Sequence, residues 1–237
     1  MRANLRSMRM FFQQIRGDSM LYVLYFLPLL IAALFRFGVP FAEEQLTALL
    51  NTNAVLSGYY LLFDLFLAVF APYFLTFISA MVMLSEIDEH VAAYLAVTPV
   101  RRKGYITSRL LCPALLSGFV SAALLSLCAL TKWTAGGIIL MSLLSVLLCV
   151  PVAMLIVSYS HNRVEGMALA KLSGLLLFGL PVPFFLNGGW QYPFSWLPSF
   201  WTAKLFFSQS IWAIIPAVLT SAAWIALAYR RFRRKLL

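Results

Sequence analysis

Gly58-Tyr-Tyr-Leu-Leu-Phe-Asp-Leu-Phe-Leu-Ala-Val-Phe-Ala-Pro-Tyr-Phe-Leu-Thr-Phe-Ile-Ser-Ala-Met-Val-Met-Leu84 is an apolar run of 27 residues with one charge, Asp64. About 20 helical residues cross the roughly 30 Å hydrocarbon core of a bilayer. In hydrocarbon every backbone N–H and C=O must be paired inside the protein, so a run of this length is a spanning helix. Five further runs share the character: Ser19–Gly38, Tyr105–Leu130, Gly136–Ser158, Gly166–Leu186 and Ile211–Tyr229. The chain is expected to be an all-α membrane protein with six transmembrane helices, one transmembrane domain over residues 1–237.

Composition supports this. Of 237 residues, 62% are hydrophobic and 11% charged, with a mean hydropathy of +0.89. Soluble domains are nearer 25% charged. Too little chain lies between the runs for an independent globular domain. No Gly-x-x-x-x-Gly-Lys-Ser/Thr phosphate loop occurs, so any ATP used must bind another chain.

A net charge of +10 would point to nucleic acid in a soluble protein. Its distribution excludes that reading. With the N-terminus inside, the inner segments hold Arg2, Arg6, Arg9, Arg16, Arg101, Arg102, Lys103, Arg109, Arg163, Lys171, Arg230, Arg231, Arg233, Arg234 and Lys235. The outer side keeps Arg36, Lys132 and Lys204, a split of 15 to 3 among the 18 basic residues. Positive charge stays inside, which places both termini in the cytoplasm. Anionic lipid headgroups are the secondary partner of the excess charge.

Cys112, Cys128 and Cys149 all fall within spans, with no metal-ligand spacing. The first apolar run is too long for a signal-peptide core and lacks a small-residue cleavage site. Residues 1–17 place Leu5, Met8, Phe11, Phe12 and Ile15 on one helical face beside Arg2, Arg6, Arg9 and Arg16. Such a helix is expected to lie in the membrane interface, apolar side down. Residues 39–57 are expected as an outer loop. Every span carries a proline: Pro28, Pro72, Pro113, Pro151, Pro181 and Pro216.

The most informative polar stretch is Ser85-Glu-Ile-Asp-Glu-His-Val-Ala-Ala-Tyr-Leu-Ala-Val-Thr-Pro99. Ser85 and Asp88 have the spacing of a capping box. Ile87, Val91, Tyr94, Leu95 and Thr98 share a face, acidic residues load the first turns, and Pro99 ends the helix. This predicts a short amphipathic cytoplasmic helix over 85–98. An apolar stripe there needs a partner surface, either lipid or protein.

From Glu86 to Leu111 the chain resembles the inner loop of type-2 ABC exporter permeases. Those carry acidic residues, a short helix ending in Thr-Pro, a basic patch, then a span opening with Lys or Arg. The likeness extends to the interfacial N-terminal helix, six spans, and a proline- and aromatic-rich outer segment with short re-entrant helices. The family often has Gly-Thr where this chain has His90-Val91, and Glu where it has Ala93. The closest flavour is the small drug- or peptide-export permease of the bacterial cell membrane, which works with a separate ATP-binding subunit.

The resemblance implies that 85–98 is a coupling helix docked in that subunit. Ile87, Val91, Tyr94 and Leu95 would pack in its groove, Glu86, Asp88 and Glu89 would meet its rim, and Thr98 and Pro99 would end the helix. It also implies a non-catalytic transport subunit, with ATP and Mg on the partner chain and no cofactor on this one. A second permease copy or paralogue completes the pore.

Gly166, Ala170 and Gly174 repeat at every fourth residue, which lets helices approach closely. They are expected either at the seam between two permease halves or against a neighbour in the same chain. Asp64 inside a span needs a partner or a task, and Arg36 at comparable depth is the expected ion-pair partner, the alternative being a contact with cargo. Trp190, Tyr192, Phe194 and Trp196 crowd the outer segment as an aromatic belt, and the resemblance makes them an outer gate.

Two other classes compete. A haem-pathway or assembly-type permease shares the architecture, but the outer loops hold no His or Cys. An intramembrane enzyme would need a catalytic constellation, and Glu43-Glu44 is not accompanied by one.

Overall fold

A computed structural model of the chain describes residues 2–51, 54–89, 91 and 101–235. Every regular element among them is helical. We number the principal ones α1 (Arg2–Gly17), α2 (Ser19–Leu50), α3 (Tyr60–Asp88), α4 (Gly104–Cys128), α5 (Ala135–Tyr159), α6 (Arg163–Ser173), α7 (Val182–Phe185), α8 (Pro198–Ser208) and α9 (Ile214–Lys235). Five of the helical stretches, those containing α2, α3, α4, α5 and α9, are long and apolar enough to cross a membrane.

The central helix is α3. It packs against α2, α4, α5 and α6, and 78% of its most apolar stretch is buried, against 17% for α2. A helix apolar on all sides belongs inside a bundle. Its core residues, Leu65, Ala68, Met81 and Leu84 among them, are sealed from solvent. α5 is its inner partner, while α2 and α9 flank the bundle and turn exposed Leu, Phe and Ile side chains outward.

Pro72 and Pro113 break the helical ladder, and the neighbouring helix repairs it. Pro72 has no N–H for the carbonyl of Ala68 four residues earlier; Ser121 of α4 donates its hydroxyl to that oxygen at 2.6 Å. Pro113 likewise frees the carbonyl of Arg109, and Ser79 of α3 donates to it. Two prolines and two serines thus staple α3 to α4 reciprocally, as buried backbone in a membrane requires. Thr107–Leu111, just before Pro113, takes the wider π turn, which is where inserted side chains and prolines place such bulges.

Several boundaries differ from the sequence expectation. Residues 39–57 are not simply a loop: the first span continues through a π turn at Leu34–Gly38 into helix up to Leu50. Pro40 comes two residues after this π turn, as Pro113 comes two residues after Leu111, and has no N–H for the carbonyl of Arg36 four residues earlier. Asn51, with φ of 54°, ends it in the left-handed region, and the Glu43 carboxylate accepts the N–H groups of Val55 at 3.0 Å and Leu56 at 2.5 Å.

The expected span Gly166–Leu186 is broken instead of continuous. α6 gives way to a 3-10 turn at Gly174–Leu177 and then to the single turn α7. A Cβ on Gly179 would meet Ser199 and, at 2.5 Å, the backbone nitrogen of Phe200. The chain bends there because glycine alone allows α8 to approach so closely.

Arg2–Gly17 form the expected helix, but its apolar face is not simply turned to lipid. Phe11 and Ile15 are buried in the main core cluster, with α1 laid across α2, α3 and the start of α4. Arg9, Gln13 and Arg16 point outward.

Candidate coupling site at the inner end of the second span

α3 does not stop at Leu84. It runs through Ser85, whose carbonyl accepts the N–H of Glu89 at 3.0 Å, to Asp88. Ser85 is therefore helix interior and caps nothing, and the beginning of the expected coupling helix is the end of the second span. Sequence spacing suggested a box because Ser-x-x-Asp also occurs by chance within a helix.

Glu86 was expected at the rim of a partner's groove. It is instead fully buried, as is Arg109 of α4. Arg109 Nε donates to both Glu86 oxygens at 3.0 and 2.9 Å, and its Nη2 reaches Oε1 at 2.5 Å. Nη1 donates to the backbone oxygen of Ser7 at 2.6 Å. The Ser7 and Ser108 hydroxyls lie 2.9 Å apart. The rings of Phe11 and Tyr105 lie 5.6 and 6.0 Å from the guanidinium carbon, within cation–π range. One arginine thereby ties α1, α3 and α4 together. Such a buried pair is weak evidence for net stability, since hydrophobic replacements often do as well; its value lies in fixing one arrangement.

Past this knot, Ile87 and Val91 are half-buried against the core, while Asp88 and Glu89 are exposed. Tyr94, Leu95, Thr98 and Pro99 lie outside the described residues.

A second cluster, at the same end of the bundle, surrounds α6. Asp18 caps α2, accepting the N–H groups of Met20 and Leu21 at 3.0 and 3.2 Å, and pairs with Arg163. Burial alone raises this carboxyl; the Arg163 hydrogen bond and charge, with the two N–H groups, outweigh it and hold it below its ordinary value. His161 donates its backbone N–H to Glu165 at 2.7 Å, which lowers the Glu165 carboxyl. Lys235 reaches the carbonyl of Ser160, and Arg231 lies over Tyr159 at 4.2 Å. All these groups sit at the same end of the bundle as Glu86, as the charge split implies.

The expected Arg36–Asp64 ion pair is not formed. Asp64, 1% exposed, accepts the N–H groups of Leu130 at 2.8 Å and Thr131 at 2.9 Å, the Thr131 hydroxyl at 2.5 Å and the Trp133 indole N–H at 3.0 Å. Arg36 donates to the carbonyl of Ala129 at 3.0 Å. Both grip the turn that follows α4, where the ended helix leaves its N–H and C=O groups free. Backbone partners do not show in a search for opposite charges.

The Gly166, Ala170, Gly174 stripe faces α3 of the same chain, the second of the two expected placements, and not a seam between permease halves. A Cβ on Gly166 would strike Leu84 and Met81, and Tyr73 donates its hydroxyl to the carbonyl of Ala170 at 2.9 Å. At the opposite end of the bundle Trp190, Tyr192 and Trp196 are exposed and Phe194 is half-buried. Trp196 packs against Trp224 at 5.7 Å, and Lys204 sits 4.3 Å from the Tyr192 ring. Among the described residues no three His, Cys, Asp or Glu side chains gather as a metal site would need.

Five spanning-length helices with their charges gathered at the ends define a multi-pass membrane protein. The chain belongs to the family described as fluoroquinolones export permease protein Rv2686c-like, which matches residues 11–230. Two relatives from strains of Mycobacterium tuberculosis, the fluoroquinolones export permease proteins MT2760 and Rv2686c, are each 26% identical over 232 residues. Each match covers 93% of this chain and 91% of the relative. No solved structure matches the chain. An export permease family is consistent with the ABC exporter resemblance seen in residues 86–111.

Proposed function

We propose that this chain is the membrane subunit of an ATP-driven exporter in a bacterial cell membrane, with both termini and residues 89–103 in the cytoplasm. A separate ATP-binding subunit, carrying ATP and Mg, docks on the amphipathic segment that follows Glu86. A second permease copy or paralogue forms the other half of the pore. The cargo is an amphipathic molecule moved outward; an aromatic drug of the kind named for the relatives fits that chemistry. This chain supplies no catalytic group and no cofactor.

The observation that carries this reading is the buried Arg109–Glu86 pair. It sits where α3 passes into the acidic, apolar-striped segment. A force on that segment passes through a charge-fixed joint into α1 and α4 instead of dissipating in a loop. Asp88 and Glu89 are exposed and can face a partner.

Tyr94→Ala and Leu95→Asp should each reduce co-purification of the ATP-binding subunit and its stimulated ATPase activity, with membrane insertion of the permease intact. Unchanged recovery and stimulation in both variants would overturn the docking assignment.

A further inference from the structure

Between the outer ends of α3, α5, α8 and α9 lies a cavity of about 620 Å³, a size that holds a drug-like molecule. Leu61, Leu140, Leu205, Phe206 and Ile214 line its body. Thr131, Lys132 and Gln209 stand among its polar lining groups.

Two features fix its shape. The Trp133 indole on its wall is anchored at both ends: its N–H donates to Asp64 at 3.0 Å and its ring meets Phe206 at 5.0 Å. Gln209, with φ of 50°, ends α8 in the left-handed region and turns the chain toward α9, which forms the opposite wall. The charge is one-sided. Lys132 is the single charged lining residue among the described residues, and the acid behind the wall, Asp64, already has both oxygens engaged.

We propose that this cavity binds an anionic amphipath, its apolar body against Leu140, Leu205 and Phe206 and its negative head at Lys132. Phosphate on an outer-leaflet lipid and carboxylate on an exported molecule both present this chemistry. The site itself does not depend on the exporter reading; only its use by cargo does.

The test is native mass spectrometry of the full-length protein released from nanodiscs, with phosphatidylglycerol and phosphatidylcholine of identical acyl chains as probes. Wild type should retain phosphatidylglycerol about fivefold better, the weight of one lysine beside an anionic group. Lys132→Gln should lose that preference, and Leu140→Trp, which fills the cavity, should lose both lipids. Thr134→Trp at the lip gives the same blockade should Leu140→Trp fail to fold, and Phe119→Trp, on an exposed face of α4, should leave retention unchanged. Equal retention of both lipids by wild type would overturn the proposal, as would variants indistinguishable from it. Norfloxacin as competitor separates the sources: displacement of phosphatidylglycerol assigns the site to cargo carboxylates, and retention assigns it to lipid. Neither arm uses ATP or a partner subunit, so a failed transport reading would not imitate a failed site.

Discussion

Arg109 and Glu86, 23 residues apart, meet side-on with both side chains closed to solvent. Removing one partner leaves the other as an uncompensated buried charge. Glu86→Gln and Arg109→Gln should each destabilise the detergent-solubilised protein by about 3–5 kcal/mol. Glu86→Leu combined with Arg109→Met should cost less than the sum of the corresponding single losses. Thermal unfolding of the purified variants measures both, and additive losses would deny the coupling.

Ser121→Ala removes the hydroxyl that serves the carbonyl freed by Pro72. The expected cost is about 0.6–1.7 kcal/mol, the range for interhelical hydrogen bonds in membranes. In a Pro72→Ala background the same serine change should cost almost nothing, because the new N–H at 72 takes up the Ala68 carbonyl. A double-mutant cycle on unfolding free energies checks this.

Gly179→Ala should be more damaging than Gly166→Ala. The new methyl at 166 meets the ends of Leu84 and Met81, which can swing aside at about 1–3 kcal/mol. At 179 it meets the Phe200 backbone, which cannot move without shifting α8. Comparing melting temperatures and the yield of monodisperse protein ranks the two.

Asp18 makes stability depend on acid. Its folded-state pKa lies below that of the unfolded chain, so its contribution is complete above the ordinary value of 3.8 and fades as pH falls below it. Asp18→Asn should flatten the acid side of the stability profile and leave its shape near neutrality unchanged. Melting temperatures measured from pH 7 down to about 3 would show the slope persisting if the assignment is wrong.

Asp64→Ala should cost about 2–4 kcal/mol, since it orphans two partly buried backbone N–H groups and the Trp133 indole. Arg36→Gln, which loses an exposed bond to one carbonyl, should stay within about 1 kcal/mol. Comparable losses at the two positions, measured by chemical denaturation, would restore the ion-pair view.

The spanning runs were legible because length and hydropathy leave helix as the sole solution in hydrocarbon. The interruption at 174–181 was not: Gly174, Gly179 and Pro181 sit in an apolar stretch that hydropathy scores as continuous, and the close approach of Phe200 is a tertiary fact. Arg109 counted only as one more charge of the inner set. Its partner was hidden because Ser85-Glu86 resembled a helix start. The useful signal was a cation inside one apolar run facing an acid at the end of the preceding run, across an antiparallel pair. The stripe at 166–174 announced close packing, but spacing alone does not name the neighbour.

The turn that follows α4 holds Asp64 from one span and Arg36 from another. Three helices are pinned at a common point, so a rigid tilt of the stapled α3–α4 pair would pivot there. From Asp64 to Glu86 the second span is a lever of 22 residues, about 33 Å long. A tilt of about 10° of the stapled α3–α4 pair about the pinned end carries Glu86 and Arg109 together sideways by about 6 Å, roughly one helical turn.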